Sequence, residues 1–187
     1  LKQGSQPPRV IINSLGTVVI AASGAAFNIE IFAYYVMNSF SQACTTFVGQ
    51  NYGAGKLDRC KKTLALSIGE DAVASGIAVA TALSAGRFLL SIFNNDPEVI
   101  ELGYTRLVYI FFAYIFSMLY EVMSGYLRGF GISLVPAILT MVGVCGVRIT
   151  WIYTVFPQSR DFKTIMLVYP ISLCVTAVLI SISLMIY

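Results

Sequence analysis

The sequence predicts an all-α, polytopic membrane protein with about five transmembrane helices, and three observations carry that prediction. First, 57% of the 187 residues are hydrophobic and only 11% are charged, against roughly 25% charged in an ordinary soluble domain. A chain this short cannot hide so much apolar surface in one water-soluble core, so the bilayer must be its solvent. Second, the apolar residues fall into runs that reach the about 20 residues a spanning helix needs. Third, the stretch Phe47-Val48-Gly49-Gln50-Asn51-Tyr52-Gly53-Ala54-Gly55-Lys56-Leu57-Asp58-Arg59 separates two such runs with three glycines and the start of a cationic burst. Glycine disfavours a helix interior by about 1 kcal/mol, so the unit reads as helix, polar turn, helix.

Residues 1–16 are a polar N-terminal segment with Pro7-Pro8, too short to span. The first helix is expected over 17–49, where Glu30 is the only charge. A second follows over 57–86, with a short amphipathic continuation to residue 93. Asn94-Asn95-Asp96-Pro97 is a turn, with Asp96 as N-cap and Pro97 at the first helical position. The third helix runs over 97–128 and ends at Gly129-Phe130-Gly131. A fourth is expected over 134–156, with Pro136 in its first turn, where the missing N–H is harmless. Residues 157–163 form a polar loop. The fifth helix covers 162–187, with a kink at Pro170. The chain starts without Met and stops in an apolar run, which suggests a piece of a larger membrane protein.

Alternation puts the 50–62 and 128–133 turns on one side and the 87–97 and 157–163 loops on the other. Lys56, Arg59, Lys61, Lys62 and Arg128 lie on the first side, and Arg87, Arg160 and Lys163 on the second. This bias marks the 50–62 turn as cytoplasmic, and Cys60 offers a chemical handle on its sidedness.

Two carboxylates stand in otherwise apolar spans. Glu30 is followed at steps of three and four by Tyr34, Asn38, Ser41 or Gln42, and Thr45. In the third helix Tyr114, Ser117, Glu121, Ser124 and Arg128 repeat the pattern, which puts each set on one helix face. A charge at mid-membrane costs about 2.5 kcal/mol or more, so such residues face a cavity or a partner. The plainer alternative is a structural ion pair, for instance Glu121 with Arg148, a fixed charge suited to that role. Glu70-Asp71 reads as a solvated or headgroup-level pair, since neighbours point about 100° apart. Gly143-x-x-Gly146 reads as close helix packing.

Several function classes are excluded. There is no histidine, no G-x-S-x-G and no phosphate-cradling glycine loop, so no catalytic constellation exists and an enzyme is not expected. Cys44, Cys60, Cys145 and Cys174 are scattered, so no metal site or disulfide framework is read. The net charge of +3 comes without a basic stripe, which leaves no case for nucleic acid.

Asn28-Ile29-Glu30, the 47–55 turn, Phe93-Asn94-Asn95-Asp96-Pro97, Gly125-Tyr126-Leu127-Arg128-Gly129-Phe130-Gly131 and Pro136 follow one another in an order that resembles the C-terminal half of a multidrug and toxic compound extrusion (MATE) transporter. The turn motifs rest on Gly49, Gln50, Asn51, Gly53 and Gly55, and on Arg128 and Gly129. The resemblance implies twelve helices in two six-helix lobes, of which this chain supplies helices eight to twelve and a stub of helix seven at 10–13. It also implies an N-terminal lobe as partner, a bacterial plasma membrane, and export of amphipathic or cationic compounds in exchange for sodium ions or protons, with no other cofactor. In this reading Glu30 and Glu121 bind the coupling cation, and Asn28, Tyr34, Asn38, Gln42, Tyr114 and Ser117 line the cavity. Buried carboxylates can shift by up to 3–5 pKa units, which suits proton loading and release. One departure stands out: the acidic position some members carry two turns before the L-R-G-x-G turn is Ser117 here, and the carboxylate is Glu121. Two alternatives remain, a lipid or lipid-linked oligosaccharide flippase of the same superfamily, which should favour a basic cavity, and a non-transporting membrane interaction fragment.

Overall fold

The computed structural model describes residues 16–155, 157 and 162–186. The polar N-terminal segment up to residue 15, the stub at 10–13, Arg160 and Asp161 lie outside the described residues. Among the described residues five helices are long and apolar enough to cross a membrane, and the described structure is helical with connecting turns and no strand.

Helix α1 (Thr17–Gly53) has 37 residues, about 55 Å at 1.5 Å per residue, so it outreaches a hydrocarbon core of about 30 Å. It runs four residues past the expected end because the turn glycines act at its C-terminus. Gly55 has φ +71°. Lys56 N–H donates to the Asn51 carbonyl at 2.8 Å and Gly55 N–H to that of Tyr52 at 2.9 Å, the paired closure that uses a left-handed glycine to satisfy orphan carbonyls.

Helix α2 (Leu57–Ser84) starts with Asp58 in its first turn, favourable at a helix N-terminus. The chain breaks at Ala85, and the short amphipathic helix α3 (Gly86–Phe93) follows. Helix α4 (Pro97–Gly129) begins as the sequence requires: Asp96 Oδ1 accepts from Glu98 N–H at 2.9 Å and Pro97 opens the first turn. Its end repeats the closure of α1. Gly131 has φ +83°, Ile132 N–H donates to the Leu127 carbonyl at 3.1 Å, and Gly131 N–H to that of Arg128 at 2.9 Å.

Helix α5 (Leu134–Thr154) has Pro136 in its first turn and a π-helical stretch, Met141–Gly146, in its middle. There Gly143 sits against Thr176 so closely that a Cβ would collide. Helix α6 (Phe162–Ile186) is interrupted at Leu167, between Phe162–Met166 and Val168–Ile186. The irregularity expected at Pro170 thus falls within the turn before it. Proline has no N–H to offer the Met166 carbonyl and its ring crowds that group.

Helices α1 and α4 form the central seam, with α2 packed on both and α6 on the far side of α4. Seam contacts join Glu30 to Arg106, Ser41 to Glu121 and Thr45 to Gly125. Residue numbers rise together, so α1 and α4 are parallel. Ala26, Ile29 and Ala33 pack with Leu90, Leu107 and Phe111 near one end, and Cys44 and Val48 with Cys60 and Val122 near the other. The Tyr52 and Phe130 rings meet edge-on at 4.9 Å, so the 50–62 and 128–133 turns share one end, as alternation predicts. Helix α2 is inverted relative to water-soluble expectation. Leu66, Val73 and Ile77 point outward, while its buried residues are Cys60, Ser67, Asp71 and Ser75. That is the pattern of a helix whose solvent is lipid.

Candidate ion and substrate site

The site is built on close approach of α1 and α4. A Cβ on Gly125 would lie 2.5 Å from the Ser41 carbonyl oxygen, and one on Gly129 2.6 Å from Val48 Cβ. Gly125-x-x-x-Gly129 is therefore a small-residue seam that lets two helix backbones touch. Hydroxyls use the proximity: Ser41 Oγ donates to the Glu121 carbonyl at 2.6 Å, and Thr45 Oγ1 reaches that of Gly125 at 3.0 Å. Arg128 Nη2 donates to Ser41 Oγ at 2.8 Å, so the turn motif and the polar stripe are one network.

Glu30 lies toward the other end. Arg106 holds it through two parallel bonds, Nε to Oε1 at 2.7 Å and Nη2 to Oε2 at 3.0 Å, the fork geometry that Arg alone provides. The side chains of Arg106 and Glu30 are only 7% and 6% exposed. Tyr114 Oη donates to the Glu30 backbone carbonyl at 3.1 Å, and the Arg106 guanidinium sits 5.6 Å from the Tyr169 ring centre. Arg106 is not among the residues that the polar stripes mark in the sequence. The signal was available: Arg106 lies eleven residues before Ser117, which returns it to within about 20° of the same helix face.

Glu121 is different. Its carboxylate is half-buried and meets Tyr34 Oη at 3.5 Å, with no ion-pair contact among the described residues. Arg128 is its charged neighbour a little further along the seam. The pair suggested between Glu121 and Arg148 is not formed. Arg148 Nε donates to Ser172 Oγ at 3.2 Å and its guanidinium covers the Tyr169 ring at 4.6 Å.

Asp71 corrects the reading of Glu70-Asp71 as a headgroup-level pair. Glu70 is exposed, but Asp71 is fully buried. Ser75 Oγ donates to its Oδ1, and Oδ2 is buried without a hydrogen-bond partner among the described residues. Glu121 is its charged neighbour across the α2–α4 contact. The overlooked signal was Ser67, Asp71 and Ser75 at steps of four, one polar stripe on an apolar helix.

The other expected cavity residues are dispersed. Ser117 is buried, Tyr34, Asn38 and Tyr114 are half-buried, and Asn28 and Gln42 are exposed. Asn28 Nδ2 is turned back to the Gly24 carbonyl at 3.1 Å. In the turns, Asn51 Nδ2 donates to the Phe47 carbonyl at 2.8 Å, Gly49 approaches the Gly129 carbonyl, and Gln50 and Gly53 are exposed. Cys60 is a poor handle on the turn, because it is fully buried with its thiol directed at the Val48 and Lys56 carbonyls.

Apolar spans around a polar seam define an integral membrane protein. A MatE family model matches residues 9–154. Over 130 residues the chain is 26% identical to the probable multidrug resistance protein NorM of Chromobacterium violaceum, covering 70% of this chain and 28% of that protein. It is 25% identical over 153 residues to the protein of the same description in Streptococcus pneumoniae, covering 82% and 34%. It is 27% identical over 129 residues to mouse multidrug and toxin extrusion protein 1, covering 69% and 23%. The chain belongs to the MatE family, whose members are transporters and not enzymes. It spans about a third of the length of the first two of these relatives.

Proposed function

We propose that the chain is the C-terminal lobe of a cation-coupled antiporter that exports organic cations, drugs or other amphipathic xenobiotics. An N-terminal lobe supplies the facing half of the cavity, and sodium ions or protons drive exchange by rocking of one lobe against the other. The observation that carries this reading is Glu121. It is a half-buried carboxylate in a polar seam, beside a phenol and without an ion-pair partner among the described residues. The relatives' descriptions as multidrug resistance and extrusion proteins support the substrate class. Glu30 serves this site as a fixed support, since its charge is already matched by Arg106.

The test is drug resistance in cells expressing the two-lobed transporter. Glu121→Gln is expected to abolish resistance at matched membrane expression, and unchanged resistance would overturn the coupling role. One observation favours the second reading, a lipid or lipid-linked oligosaccharide flippase: Arg148 is held by Ser172 and Tyr169 with no carboxylate partner among the described residues. Under that reading Arg148→Gln, and not Glu121→Gln, stops transport.

The 50–62 turn is proposed to face the cytoplasm of a bacterial plasma membrane. Lys61 is exposed and replaces Cys60 as the probe position. In a cysteine-free background, Lys61→Cys should react with an impermeant thiol reagent only after permeabilisation. Reaction in intact cells would reverse the topology.

A further inference from the structure

We propose that Asp71 is a cation-receiving group of this protein, and that with Glu121 it takes up one monovalent cation, a proton or a sodium ion, at the α2–α4 contact. The proposal deepens the transporter reading above and rests on it.

Charge counting leads to it. Two carboxylates, Asp71 and Glu121, lie within electrostatic reach of each other on the packed helices α2 and α4, and Arg128 is the cation that acts on Glu121. Two negative charges and one positive leave one negative charge in excess. At the other end of the seam no acid is left unmatched: Arg106 holds Glu30, and Arg148 adds a further positive charge on the shared Tyr169 ring. The excess sits on the most enclosed acid of the spanning helices: Asp71 is fully buried, whereas Glu121 is half-buried.

Hydrogen bonding points the same way. Ser75 occupies one Asp71 oxygen, and the other has no donor among the described residues. A buried ionised carboxylate with an empty lone-pair face is strongly disfavoured unless a cation or proton meets it. When two acids interact in a low-dielectric site, they titrate as a pair and share a proton before both ionise. Oxygen is also the ligand type that hard cations take, and the Ser67 and Ser75 hydroxyls lie on the same buried stripe of α2. The other titratable or charged groups facing this network are Tyr120 and Arg128 on α4, Tyr34 and Cys44 on α1, and Cys60 on α2.

The mechanism needs no bond broken in the substrate. The cation binds the Asp71–Glu121 pair when the cavity faces one side, neutralising the excess charge. When the cavity faces the other side a cationic substrate displaces it: a bound proton passes to water or a bound sodium ion dissociates, and in either case the substrate's charge then matches the excess negative charge of the pair.

The test uses the two-lobed transporter and dicyclohexylcarbodiimide, which modifies protonated carboxyl groups in apolar surroundings. Peptide mass spectrometry locates the adduct. Asp71 is expected to be labelled, with labelling declining as pH rises. At fixed pH, sodium chloride will protect Asp71 if sodium is the cation, and will match potassium chloride if only the proton binds. Asp71→Asn keeps the side-chain volume and an acceptor for Ser75, and is expected to reduce exchange about tenfold or more with altered ion dependence, while Ser75→Ala weakens cation affinity by about tenfold, as loss of an orienting partner does. The proposal is overturned if wild-type Asp71 resists the reagent at every pH, or if Asp71→Asn exchanges at the parental rate with parental ion dependence. Absence of drug export by the wild type would sink the transporter reading instead. Protection of Asp71 in that same protein would still establish the cation site.

Discussion

Glu30 and Glu121 lie on the same seam, α1 against α4, yet the protein treats them in opposite ways. Around Glu30 the seam is closed. A guanidinium meets both carboxylate oxygens, a tyrosine caps the local backbone, and alanines bring the helices together. Around Glu121 it is held by glycines and backbone-directed hydroxyls, and the carboxylate itself lies beside the phenols of Tyr34 and Tyr120 with no ion-pair contact among the described residues. One end is thus closed by a bidentate ion pair, and the other leaves an acid without an ion-pair contact among the described residues. The difference separates a paired carboxylate from an unpaired one among the described residues, although both look alike in the sequence.

The largest effect should come from opening the closed end. Arg106→Met leaves Glu30 buried and unmatched, and removing one partner of a buried pair costs about 3–5 kcal/mol. Denaturant unfolding of the chain in detergent measures it, and the double variant Glu30→Gln/Arg106→Met should recover most of the loss. If Glu30→Gln instead leaves stability intact and abolishes only transport, the contrast between the two ends fails. Overpacking the glycine seam comes next. Gly129→Ala drives a methyl into Val48, and an inserted group in a tight interface costs about 1–3 kcal/mol. The same unfolding assay applies, and a neutral result would show that the helices can separate freely. Gly55→Ala should lower stability by about 1–2 kcal/mol, the penalty for a left-handed backbone in a residue with a Cβ. The smallest change belongs to the open end. Tyr34→Phe removes a contact already at 3.5 Å and should alter stability by about 0.5 kcal/mol. Its effect should appear in the ion dependence of export, and a loss as large as that of Arg106→Met would place Glu121 in a structural role after all.

The helices and turns were legible because their signals are local. Span length, the Asp96-Pro97 start and the left-handed glycines need no knowledge of neighbours. Helix ends moved by a few residues where a turn glycine capped the helix rather than stopping it. The site was half legible. Polar stripes on α1 and α4 marked the seam, but periodicity names a face and not the residue across from it. Arg106 therefore went unpaired with Glu30 until the helices were brought together. Asp71 was obscured by its neighbour Glu70, and by depth. Fourteen residues after Leu57 it lies about 21 Å along α2, well within a bilayer core. The interruption at Leu167 was tied to Pro170, whereas the π-helical stretch in α5 has no sequence signature beyond its glycines.

The Glu30–Arg106 pair also sets a clock on biogenesis. Its partners are 76 residues apart in the chain, and ribosomes add about 5–20 residues per second, so Glu30 emerges roughly 4–15 s before its guanidinium exists. During that interval α1 cannot hold an ionised carboxylate in hydrocarbon unaided. It must wait near the membrane surface or in the insertion machinery, or enter carrying a proton. Helix α1 is thus made well before its charge partner, and it can settle at full depth only once α4 has arrived.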